Sequence, residues 1–210
     1  MGKYSNGILG NFRGKVGAVI GSRWRGIHYM RGKSGPRTSG FTDKQLEQQT
    51  RFGMAIRFMQ PLHPVLKIGY RSQARTSTPL NRALSDVLLD VITGIYPALV
   101  IDYSSLRIAK GTLPPVAQPT MTRSNGRLQF EWSVETAQAG SSPTDQVLLL
   151  ALAESGETVY SLLQFQRSVG MADLVLPSLA TGTVVHGYIA MASATGVEVS
   201  NGLYVGYVTV

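Results

Sequence analysis

The chain has 210 residues, 43% hydrophobic and 15% charged, which excludes a disordered protein and leaves room for one large domain or two small ones. It has no cysteine, which removes disulfides, thiolate metal sites and a cysteine nucleophile, and no apolar run approaches the roughly 20 residues of a membrane span. The net charge of +8 is unevenly divided: residues 1–75 hold 14 Lys/Arg against Asp43 and Glu47, whereas residues 76–210 hold 6 against 10 acids.

The first stretch, up to about Thr38, mixes glycines with basic residues and contains no acid. Asn6, Gly7 and Asn11 interrupt any apolar core of a secretory signal, so a cytoplasmic protein is expected. Lys15 to Arg31 reads as a hairpin or short meander. Val16, Ala18 and Ile20 share one face of the first strand, and Gly21-Ser22 forms the turn. The second strand then places Trp24, Gly26, His28 and Met30 on one side, with Arg23, Arg25, Ile27, Tyr29 and Arg31 on the other.

Arginine interleaved with aromatic residues supplies charge plus a stacking surface, as nucleic-acid-binding surfaces do. The candidate polyanion-binding residues are Arg13, Lys15, Arg23, Trp24, Arg25, Tyr29 and Arg31. The same pattern also fits a tightly twisted strand pair whose arginines are merely its solvated side.

A Gly/Ser/Pro linker follows from Ser34 to Gly40. Thr42 with Gln45 three residues on marks a helix start, and Leu46, Phe52, Ala55, Ile56 and Met59 form its apolar face. Pro61 and Pro64 disturb its end, with Leu62, Val65, Leu66 and Ile68 continuing as a separate turn. A second helix starts at Thr78 as N-cap with Pro79 first in the helix, and its period runs through Leu80, Leu84, Val87, Leu88, Val91 and Ile92 to Gly94. Asp86 and Asp90 fall on its polar, solvated side. Ala98–Ile101 and Ser105–Ile108 read as short strands.

Pro114, Pro115 and Pro119 mark a change of composition. Strands are expected at Thr120–Arg123, Leu128–Val134, Gln146–Leu152, Thr158–Gln166, Ala172–Leu176, Thr183–Ala192 and Gly202–Val210, with Asn125-Gly126 as a hairpin turn. Seven short strands without helices argue a β-sandwich. The expected fold is therefore α+β: a basic N-terminal β/α module with two helices over residues 1–113, then a seven-stranded antiparallel β-sandwich over residues 114–210.

The leading prolines, Trp132 in LQFEWSV and the run LPSLATGTVVHGYIAMASATG resemble a fibronectin type III domain. Val185 stands where that family's corner tyrosine belongs and Thr181 replaces its usual proline, so the corner is absent or moved to Tyr188. The opening run NGILGNFRGKVGAVIGSRWRG with the QLEQQTRF helix resembles an uncharacterised bacterial family of unknown function. That resemblance implies a shared architecture and no activity.

His28, His63 and His186 lack zinc-type spacing, and no Gly-x-Ser-x-Gly or P-loop is present. Gly7-Ile8-Leu9-Gly10 has the shape of a KH-domain loop without the helix pair around it. No catalytic residue, cofactor or metal site is expected. The reading is a non-catalytic interaction or assembly protein with a protein partner or self-assembly. The alternative is nucleic-acid binding through the basic module.

Overall fold

Gly17 and Gly26 set the register of the first part of the chain. In the computed structural model, which describes residues 3–4, 10–24, 26–36, 40–73, 77–134 and 140–210, both glycines take positive φ, +58° and +88°. Each falls at a tight reversal, so Val16 pairs with Val19 and Trp24 with Ile27. The result is an antiparallel meander, β1 (Lys3–Tyr4), β2 (Phe12–Val16), β3 (Val19–Trp24) and β4 (Ile27–Gly32), in sequence order. Gly21-Ser22, expected to be the turn, lies inside β3. A side chain at Gly21 would collide with the Phe12 ring, so this glycine marks a close approach of two strands.

The compact units are Met1–Thr42 and Asp43–Val210. In the first, Gly21 is the one buried residue among those whose burial is described. In the second, the two prolines divide the first helical stretch into α1 (Asp43–Met59), a short turn, and α2 (His63–Gly69). Ala55 and Met59 are buried, but Phe52 and Ile56, expected beside them, are half-exposed. The inward face is completed by Met54 and Phe58 instead. Thr78 caps α3 (Pro79–Asp86) by accepting from the Asn81 amide at 3.2 Å, and a wider turn continues it through Val91.

The chain next forms a hairpin, β5 (Ile92–Ile95) with β6 (Ala98–Ile101). Ser105–Ile108 is not a strand: a 3-10 turn covers Tyr103–Ser105, and Leu106 and Ile108 enter the core from irregular backbone.

The seven later strands form where the turn residues placed them: β7 (Ala117–Ser124), β8 (Arg127–Ser133), β9 (Gln146–Ala153), β10 (Thr158–Gln166), β11 (Met171–Val175), β12 (Val184–Ala192) and β13 (Leu203–Thr209). They make two antiparallel sheets, β11-β8-β7 and β10-β9-β12-β13. Two apolar clusters flank the four-stranded sheet. Leu148, Leu150, Leu152, Tyr188 and Ala190 face the helices through Met59, Leu66, Tyr70 and Val87. Val147, Leu149, Ala151, Ile189 and Met191 face Leu128, Phe130 and Trp132 of the three-stranded sheet.

The composition change at 113/114 therefore falls inside the second unit. One apolar cluster joins helices from before that point to strands from after it, because the four-stranded sheet is buried on both faces.

Candidate interaction face on the N-terminal sheet

In an antiparallel sheet directly paired residues project to the same side, and side chains alternate along each strand. The pairs Lys3–Arg13, Lys15–Ile20, Ile20–Arg31, Ser22–Tyr29 and Trp24–Ile27 thus put Lys3, Arg13, Lys15, Ile20, Trp24, Ile27, Tyr29 and Arg31 on one face. Of the sequence candidates, Arg13, Lys15, Trp24, Tyr29 and Arg31 come together. Arg23 pairs with His28 on the opposite face, with Val16, Val19 and Met30. Arg25 lies outside the described residues.

This corrects the expected arrangement, which set Trp24 against Tyr29 and Arg31. The cause is the reversal at Gly26: one strand from Arg23 to Arg31 would separate these side chains by parity, and a turn between them restores it. Lys3 and Ile20 joined the face unanticipated. Gly17 and Gly26, each within a two-residue break between Val16 and Val19 or between Trp24 and Ile27, were the signal for the turns that bring Ile20 to this face.

The face is graded. Its cations Lys3, Arg13 and Lys15 stand on β1 and β2, its aromatic rings on β3 and β4, with Arg31 at the far side. Trp24 and Tyr29 are diagonal neighbours, about 7–8 Å apart for such pairs. Trp24 and Tyr29 are each 47% exposed and Ile27 66%. Every described residue of Met1–Thr42 with a charge is basic, and the segment holds eight Lys/Arg and no acid, so the remaining twelve Lys/Arg balance the twelve acids. The whole net charge sits in this unit.

The second unit holds the other titratable groups. His186 stacks on Tyr103 with ring centres 4.4 Å apart, its Nδ1 lies 2.9 Å from the Tyr204 hydroxyl, and its Nε2 lies 3.3 Å from Glu154. Burial, followed by the Glu154 charge, raises the Tyr103 phenol above its usual range. Tyr188 donates to the Tyr103 carbonyl at 2.7 Å. A tyrosine corner bonds to backbone only a few residues upstream, so Tyr188 is a tie between the sheet and the preceding turn rather than a relocated corner.

Asp86, expected on a solvated face with Asp90, is largely buried, accepting from Tyr70 at 3.1 Å and from Lys110 at 2.9 Å. Asp145 and Arg167 form a buried ion pair at 3.3 Å, and the guanidinium also donates to the carbonyls of Pro114 and Pro115. His28 and His63 are exposed. Among the described residues no three His, Asp or Glu side chains group as metal ligands, and no helix is long and apolar enough to cross a membrane.

Residues 11–206 match the family described as "Family of unknown function (DUF6266)". No curated protein and no solved structure matches the chain.

Proposed function

The chain belongs to that family of unknown function, and from its own residues we propose that it is a non-catalytic interaction or assembly protein of the bacterial cytoplasm. One observation carries this reading: the N-terminal meander has exposed apolar side chains on both faces and only Gly21 buried among its residues whose burial is described. A sheet of this size gains independent stability only by covering a hydrophobic face. Val16, Val19 and Met30, exposed on the face where the Phe12 ring covers Gly21, suit packing against the same face of a second copy.

The second unit is the scaffold. Its three- and four-stranded sheets follow a fibronectin type III-like sandwich, supported by the fourth strand pairing beside the third and not beside the fifth. The non-catalytic reading is supported by Asp86 and Asp145, which are engaged in ion pairs, and by His186, which stacks on Tyr103, all within that scaffold.

Light scattering after size-exclusion chromatography tests the reading. The full chain should elute as an oligomer, and Met30→Glu should reduce it to a monomer. A full chain that is monomeric at every concentration sinks self-assembly through this face. A second reading, nucleic-acid binding, is favoured by the convergence of four cations with Trp24 and Tyr29 on the other face.

A further inference from the structure

We propose that the basic and aromatic face of the N-terminal sheet binds single-stranded nucleic acid, with Lys3, Arg13, Lys15 and Arg31 meeting phosphates and Trp24 and Tyr29 stacking on bases. This rests on the second reading above and narrows it to one class of ligand.

Charge complementarity is the first argument. The unit carries all of the chain's net charge and no acid, so a polyanion meets no repulsive carboxylate within it. The second argument is the grading of the face. Lys3, Arg13 and Lys15 on β1 and β2 run beside the rings on β3 and β4, and Arg31 lies on β4 beyond them. One strand can therefore lay its backbone along the first pair, its bases over the second, and cross to bring a further phosphate to Arg31. A duplex keeps its base faces stacked internally and offers Trp24 and Tyr29 nothing. An acidic protein would satisfy the cations and leave the rings without a role. The third argument is adjacency: Trp24 and Tyr29 are diagonal neighbours across β3 and β4, so two bases of one strand can each meet a ring.

The test uses the full chain with labelled oligo(dT), a DNA duplex of equal length, and poly-glutamate as competitor. Oligo(dT) should bind more tightly than the duplex, and poly-glutamate should displace it poorly. With about four phosphates neutralised at about −0.7 each, the log–log salt slope should be near −3. The triple variant Arg13→Gln, Lys15→Gln, Arg31→Gln should bring it to about −1. Arg23→Gln, on the opposite face, should leave it unchanged. Trp24→Leu should weaken oligo(dT) binding about fivefold or more at unchanged slope.

Trp132 is buried, so quenching of tryptophan emission on binding reports Trp24 even if Trp24→Leu unfolds the sheet. Equal affinity for duplex and oligo(dT), a slope as sensitive to Arg23 as to Arg31, or absent quenching each overturns the proposal. Light scattering on the same samples separates the failures. Assembly without strand preference sinks this proposal and leaves the assembly reading standing.

Discussion

Leu150 and Tyr188 stand directly opposite each other on β9 and β12, and both side chains face the helices. Their neighbours Leu149 and Ile189, also paired, face the three-stranded sheet. One strand pair thus serves two cores, and this decides what can fold alone. A fragment from Pro115 to Val210 would expose Leu148, Leu150, Leu152, Tyr188 and Ala190 together. It should be insoluble or loosely folded, whereas Asp43–Val210 should unfold cooperatively in denaturant. Leu150→Ala should cost about 2–5 kcal/mol in that unit. A soluble Pro115–Val210 fragment with a cooperative transition and native β circular dichroism would count against the shared core.

The strands themselves were legible. Turn residues such as Asn125-Gly126 and the apolar runs located all seven later strands, and Thr78-Pro79 located α3. What the pattern left unsaid was partnership. VLLLALA and VVHGYIAMA are apolar at nearly every position, the mark of a strand covered on both faces, but a sandwich needs only alternate positions. That surplus hydrophobicity was the available sign that the helices share the sheet's core. On the N-terminal sheet, the residue types of the candidate face were visible but their sides were not. A single turn misplaced by a few residues reverses the parity of everything after it.

The Asp145–Arg167 pair supports a second prediction. Both side chains are buried, and the Arg167 carbonyl accepts from the Trp132 indole at 2.9 Å, linking the pair to the apolar cluster. Asp145→Asn leaves a guanidinium with an uncompensated charge, and should destabilise Asp43–Val210 by about 3–5 kcal/mol. Replacing both partners with apolar residues should cost much less. Urea melts of the single and double variants measure the difference, and additive losses would exclude coupling.

Alkaline pH provides a third. Burial, then the Asp86 charge, raises the Tyr70 phenol far above its usual range, and burial, then Tyr204, does the same for Tyr188. In the unfolded chain both titrate near about 10. Above that pH the unfolded state binds fewer protons than the folded one, so stability falls as pH rises. Below it the contribution is fully present. The full chain should therefore lose stability progressively above about pH 10, and Tyr70→Phe should flatten that decline even though it loses the bond to Asp86. Denaturant melts followed beside tyrosinate absorbance provide the check. A variant as pH-sensitive as the parent would exclude Tyr70 as a source.

The last prediction concerns the register of the meander, on which the composition of the candidate face depends. Arg23 and His28 are directly paired across β3 and β4, whereas in one continuous strand they would lie five residues apart and about 16 Å away. Side chains of directly paired residues are within reach of a disulfide; those of a continuous strand are not. The chain contains no cysteine, so a double variant Arg23→Cys, His28→Cys has one possible intrachain bond. Mild oxidation at low protein concentration should form it, detected as a mass loss of two hydrogens that reductant restores. The control pair Trp24→Cys, His28→Cys, whose members project to opposite faces, should resist oxidation within the chain. If the control closes as readily as the paired variant, the reversal at Gly26 is misplaced by a residue. Trp24 then returns to the face of His28 and Met30, and the cations and rings no longer share one surface.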